Sequence, residues 1–137
     1  NTNMIELIIH KNIRYGIIIS NKYDLKGANF FTEENDFLQL GYMKHSTGHT
    51  IQPHYHEQIE RKIDKTQEVL FIKTGKIRAD FYSENNQCID SRILNSGDVL
   101  IILNGGHGFE VLESVEMYEV KQGPYLGVND KVCFNPI

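Results

Sequence analysis

Helical periodicity is almost absent from this chain, and short stretches rich in Ile, Val, Phe and Tyr recur between Gly, Asn, Asp and Ser. Such a pattern gives helices no continuous apolar stripe to bury and points to an all-β architecture. The stretches that read as strands are 6–9, 16–20, 36–44, 49–56, 68–73, 76–82, 88–94, 98–103, 108–112 and 117–121. Strands this short and this numerous suit a sandwich or a barrel. Turn-forming residues stand between several of them, at Thr74-Gly75, 83–86, Asn95-Ser96-Gly97 and Glu113-Ser114. Neighbouring strands are therefore expected to be hairpin partners.

A length of 137 residues leaves room for one core, expected to span 4–137 as a single domain. Asn1 is not an initiating residue, and 1–3 read as a cloning remnant ahead of a start at Met4. Segment 57–67 resists the strand reading, with six charged residues in eleven and no Gly or Pro. Ile59, Arg61, Ile63 and Lys65 fit strand alternation, which favours an extended arm or long hairpin excursion; a solvated charged loop competes on even terms.

Fourteen Lys and Arg against 18 Asp and Glu give a net charge of −4 with no basic patch, so no nucleic-acid partner is expected. The apolar runs 7–9 and 17–19 are separated by His10, Lys11, Asn12 and Arg14, which excludes a membrane span or a secretory core between them. A cytoplasmic location follows as an expectation, and with it reduced thiols at Cys88 and Cys133.

Histidine is where the composition departs from the ordinary. Six are present, and His45, His49, His54 and His56 fall within twelve residues. On a strand, His54 and His56 would point the same way with Cα atoms about 6.6 Å apart, close enough for both rings to reach one metal ion. Pro53 would start that strand, and Tyr55 would face away. A stable site normally needs more ligands. Glu68 opens an apolar strand on whose inner face a carboxylate would need a cation or partner, and Leu70 and Ile72 would share that face. His107 follows the strand at 98–103 through Asn104-Gly105-Gly106, a flexible turn that could return its ring to the same interior, with Phe109 and Val111 on its face.

This spacing resembles the cupin superfamily. That family's first motif runs Gly, five residues, His-x-His, three or four residues, Glu, six residues, Gly. The chain reads Gly48, five residues, His54-Tyr55-His56, eleven residues, Glu68, six residues, Gly75. The second motif runs Gly, five residues, Pro-x-Gly, two residues, His, three residues, Asn. Here Gly97 opens it, Leu103 replaces Pro, Gly105 matches, His107 comes one residue early and Val111 stands for Asn.

The resemblance implies a cupin-type jelly-roll β-barrel of two antiparallel sheets, with a divalent transition metal (Fe, Mn, Ni, Zn or Cu) held by His54, His56, Glu68 and His107. It further implies a metal-dependent enzyme acting on an oxygen-rich small molecule, such as a sugar derivative or a hydroxy or keto acid, by isomerisation-type chemistry. A non-catalytic binding cupin and an Fe(II)-dependent dioxygenase are the alternatives. The ending 119–125 is similar to that of small bacterial cupins linked to surface-polysaccharide or sugar-nucleotide pathways, so carbohydrate metabolism is expected. Glu119, Lys121 and Tyr125 are candidates for catalytic roles in the pocket, with Arg61, Arg78 and Tyr82 behind them. Glu119 and Lys121 could equally form the solvent face of an antiparallel strand. His45 and His49 read as rim or structural residues. The stretch 103–108 lacks the glycine spacing and following helix of a phosphate loop. A homodimer paired through outer sheet faces is expected, since apolar strands near the N-terminus need cover.

Overall fold

The computed structural model describes residues 4–137. It is all-β, with eight strands and a single 3-10 turn, Gly127–Asp130, among those residues. In chain order the strands are β1 (Ile5–His10), β2 (Ile13–Ile19), β3 (Gly27–Phe30), β4 (Gly41–Lys44), β5 (Glu68–Tyr82), β6 (Cys88–Asn95), β7 (Val99–Ile102) and β8 (Gly106–Lys121). No helix among the described residues is long and apolar enough to cross a membrane.

Six strands form one antiparallel sheet ordered β1-β2-β7-β5-β6, with β8 paired along the other edge of β5. The sheet curls into a half-barrel because β5 and β8 bend together. Their register shifts between Ile72 and Ile77, around Gly75 at φ +91°, where a Cβ would stand 2.1 Å from the Ser114 carbonyl oxygen. Thr74-Gly75 and Glu113-Ser114 are therefore bends within two long strands and not hairpin turns, which corrects the division into 68–73 and 76–82 and into 108–112 and 117–121. Each long strand has a partner continuing beside it, so a glycine bend satisfies the backbone without reversing the chain. Residues 83–86 do turn β5 into its partner β6. The 95–97 turn does not make a hairpin, since β7 pairs with β2 and β5.

Two cores lie on the two faces of this sheet. The concave face buries Ile8, Ile18, Leu70, Ile72, Ile77, Ala79, Phe81, Leu94, Leu100 and Ile102. On the other face Ile17, Ile19, Tyr23, Ile101 and Leu103 are covered by Phe31, Leu38, Leu40 and Tyr42, carried on or beside the two-stranded β3-β4 sheet. Burial on both sides explains why β2 and β7 read as unbroken apolar runs. Residues 36–39 of the expected 36–44 strand form an irregular approach to β4. Asp36 accepts a 2.7 Å hydrogen bond from Arg14 there. Burial pushes the Asp36 carboxyl up, but Arg14 and the Glu33 amide together hold it below the usual range.

The largest departure is at 49–56, expected as a strand. The whole run 45–67 is irregular, and every residue from 43 to 66 is exposed. The alternating pattern is present in the sequence, but a strand needs a neighbour to take its backbone hydrogen bonds. None pairs with it among the described residues.

Candidate functional site

Glu68 and His107 are brought together by the β5-β8 pairing. Glu68, Leu70 and Ile72 alternate into the concave face and are buried. In β8, His107 stands opposite Phe81, Phe109 opposite Ala79 and Val111 opposite Ile77, all residues of that face. The chain reaches β8 through Gly105, whose φ is +74° and whose added Cβ would lie 2.4 Å from the Tyr15 ring and 2.6 Å from the Tyr82 carbonyl oxygen. Only glycine fits that approach. Asn104 holds the turn by donating a 2.8 Å hydrogen bond to the Arg14 carbonyl.

The Glu68 Oε2 atom lies 3.2 Å from His107 Nε2, with side chains 10% and 30% exposed. The hydrogen bond from His107 holds the Glu68 carboxyl below the usual carboxylate range against burial, which pushes it up; Glu119 and Lys121 add to the lowering. When Nε2–H is donated to Glu68, the neutral ring keeps its lone pair on Nδ1. That Nδ1 is buried and has no hydrogen-bond partner in the protein.

The pair lines a cavity of about 670 Å³ together with Tyr82, Phe109, Glu119 and Phe134. Glu119 faces Leu70 across the register, so it belongs to the concave face and not to the solvent face. Lys121 stands opposite Glu68 in register but spends its charge on Asp130, 3.0 Å away, a hydrogen bond that raises its pKa. The Lys121 ammonium also lies 5.8 Å above the Tyr125 ring, which is exposed and outside the cavity wall. Arg78 is occupied by Asp80 and Glu110, and Arg61 is exposed on the irregular segment.

His54 and His56 lie apart from this pair on the exposed run. Their rings meet edge to face at 5.3 Å, and His54 Nδ1 is 2.8 Å from the Gln52 carbonyl. His45 and His49 stack at 3.9 Å on the same run. Among the described residues no group of three or more His, Cys, Asp or Glu side chains comes together to hold one ion. As placed, therefore, His54, His56, Glu68 and His107 do not make a metal shell, and the Nε2 atom a ligand would use faces Glu68.

The C-terminal segment was invisible to strand logic. Residues 130–134 and Pro136 line the cavity, Phe134 packs edge to face on Tyr82 at 5.3 Å, and the Ile137 amide donates to the Asn86 carbonyl at 3.1 Å. An aromatic residue beyond the last strand was its one trace in the sequence. Gln67 was also missed: fully buried, it accepts a 2.9 Å hydrogen bond from the Leu38 amide and donates its own amide to Gln122 at 2.7 Å, fixing where β5 begins. Cys88 and Cys133 are both free and exposed. Comparison with protein-family models, with curated proteins and with solved structures finds no match to this chain.

Proposed function

We propose that this chain is a small cupin-type protein of the cytoplasm that binds an oxygen-rich small molecule, a sugar derivative or a hydroxy or keto acid, and moves a proton on it in an isomerisation-type reaction. The observation that carries the reading is the Glu68–His107 contact inside a cavity of about 670 Å³. That volume suits a substituted monosaccharide. A buried carboxylate that orients an imidazole leaves the other ring nitrogen as a proton acceptor, the arrangement general base catalysis requires. Glu119 supplies a second proton-carrying group on the same wall, and Tyr82, Phe109 and Phe134 supply aromatic surface for the apolar faces of a sugar ring.

The divalent metal implied by the family resemblance enters this reading only through His54 and His56, because the Glu68–His107 pair is closed on itself. Elemental analysis of the purified protein tests it: stoichiometric metal, lost in both His54→Ala and His56→Ala, would add a Lewis acid to the site.

The test of the reaction is exchange of solvent deuterium into sugar phosphates, nucleotide sugars and keto acids, followed by proton NMR. His107→Gln is expected to slow exchange by about 10²–10⁴-fold. Exchange that is unchanged in His107→Gln would overturn the assignment. Tight binding without exchange would favour a non-catalytic binding protein, a reading helped by the lowered pKa of Glu68, which makes that carboxylate itself a weak base.

A further inference from the structure

Two features of the fold lack partners. The first is the outer edge of β8, which pairs only with β5 and runs free over sixteen residues. It carries exposed apolar side chains, among them Val111 (54%), Tyr118 (60%) and Val120 (58%). A long apolar edge of this kind is a template for another strand unless something covers it. The second is the arm 45–66. From 51 to 63 its odd positions hold Ile51, Pro53, Tyr55, Ile59 and Ile63, whereas the even ones hold Gln52, His54, His56, Gln58, Glu60 and Lys62. That is the two-faced pattern of a strand in a sheet, yet Ile51, Tyr55 and Ile59 are 56%, 87% and 61% exposed.

The area points the same way. The chain exposes 10099 Å², whereas a folded monomer of 15.8 kDa exposes about 7,300 Å². The surplus of about 2,800 Å² exceeds the roughly 1,000–2,500 Å² per partner that obligate dimers bury.

We infer that the occupant of the β8 edge is the arm of a second copy of this chain, with residues 49–59 of each protomer added as a strand beside Gly106–Leu112 of the other. Exchange of this kind closes with two-fold symmetry and covers both arms and both edges at once. The outer face of the added strand would continue the apolar patch of Leu112, Tyr118 and Val120. Its polar face would turn to the cavity, so that the partner copy contributes its equivalents of His54 and His56 beside Glu68 and His107. The inference rests on the free edge, the alternating arm and the exposed area, and not on the proton-transfer reading of the cavity.

The experiment is mass by light scattering with amide hydrogen exchange on the wild-type chain and on the double variant Ile51→Asp, Tyr55→Asp. Both side chains are exposed in the protomer, so its circular dichroism should be unchanged. The wild type is expected at twice 15.8 kDa, with slowed exchange at 49–59 and 106–112. The variant is expected to raise the dimer dissociation constant by about 100-fold or more, with both segments exchanging freely. A wild-type monomer would overturn the inference, including a monomer whose arm is protected by its own edge. So would a dimer whose 49–59 amides exchange freely.

Discussion

Replacement of Gly105 by alanine separates two costs that the fold places at one residue. At φ +74° any L side chain carries a left-handed strain of about 1–2 kcal/mol, partly offset by about 0.4–1 kcal/mol because alanine restricts the unfolded chain. The new Cβ would also stand 2.4 Å from the Tyr15 ring and 2.6 Å from the Tyr82 carbonyl oxygen. The second neighbour is backbone and cannot rotate away, so β5 or the turn must shift, at about 1–3 kcal/mol more. Gly105→Ala should therefore lose about 2–4 kcal/mol, a fall in Tm of roughly 10 °C for a domain of this size. Gly27→Ala is the control. It has φ +89° and nothing within 4 Å, so only the torsional cost of about 1 kcal/mol applies. Thermal unfolding followed by circular dichroism compares them. A Gly105→Ala Tm equal to or above that of Gly27→Ala would refute the tight approach that delivers His107 to Glu68.

Three further outcomes are expected. Because Glu68 has a folded pKa below its ordinary 4.5, its contribution to stability is present above about pH 4.5 and lost as pH falls through the folded value; Glu68→Gln should flatten that acid limb in denaturant titrations, and identical pH slopes would contradict it. Asp98→Ala should cost about 2–4 kcal/mol, since the carboxylate accepts the Asn21 and Asn95 amides at 2.7 Å each and its loss orphans both; a change under about 1 kcal/mol in urea unfolding would count against those bonds. Phe81→Ala should cost about 3–5 kcal/mol, because Phe81 is fully buried beneath the His107 strand; urea unfolding measures this, and a loss under about 1 kcal/mol would mean the concave core is not packed there.

Much of the fold was legible because it depends on local alternation. Glu68, Leu70 and Ile72 read as one inward face, as did His107, Phe109 and Val111, and both faces are as the two-residue period dictates. What alternation could not report was the partner of each strand. Thr74-Gly75 has the chemistry of a turn whether or not a neighbouring strand continues past it, and here β8 does. The short strand Gly27–Phe30 was hidden because GANF lacks an apolar run, and it exists only as the pair of Gly41–Lys44. The arm shows the same limit from the other side: 49–56 has a strand's pattern and no strand beside it in its own chain. For the site, the sequence placed Glu68 and His107 on one interior, and Glu119 among the residues that could line a pocket. The tail at 130–136 and the pairing of Lys121 with Asp130 are tertiary accidents of where the last strand ends.

The central claim is that Glu68 fixes the tautomer of His107 and leaves Nδ1 free to take a proton. Long-range proton–nitrogen NMR on uniformly ¹⁵N-labelled protein above pH 8, where an ordinary imidazole is neutral, reads this directly. The account predicts a His107 ring with a protonated Nε2 and an unprotonated Nδ1, and loss of that fixed pattern in Glu68→Gln. A His107 ring protonated at Nδ1, or averaging between tautomers like an exposed histidine, would contradict it.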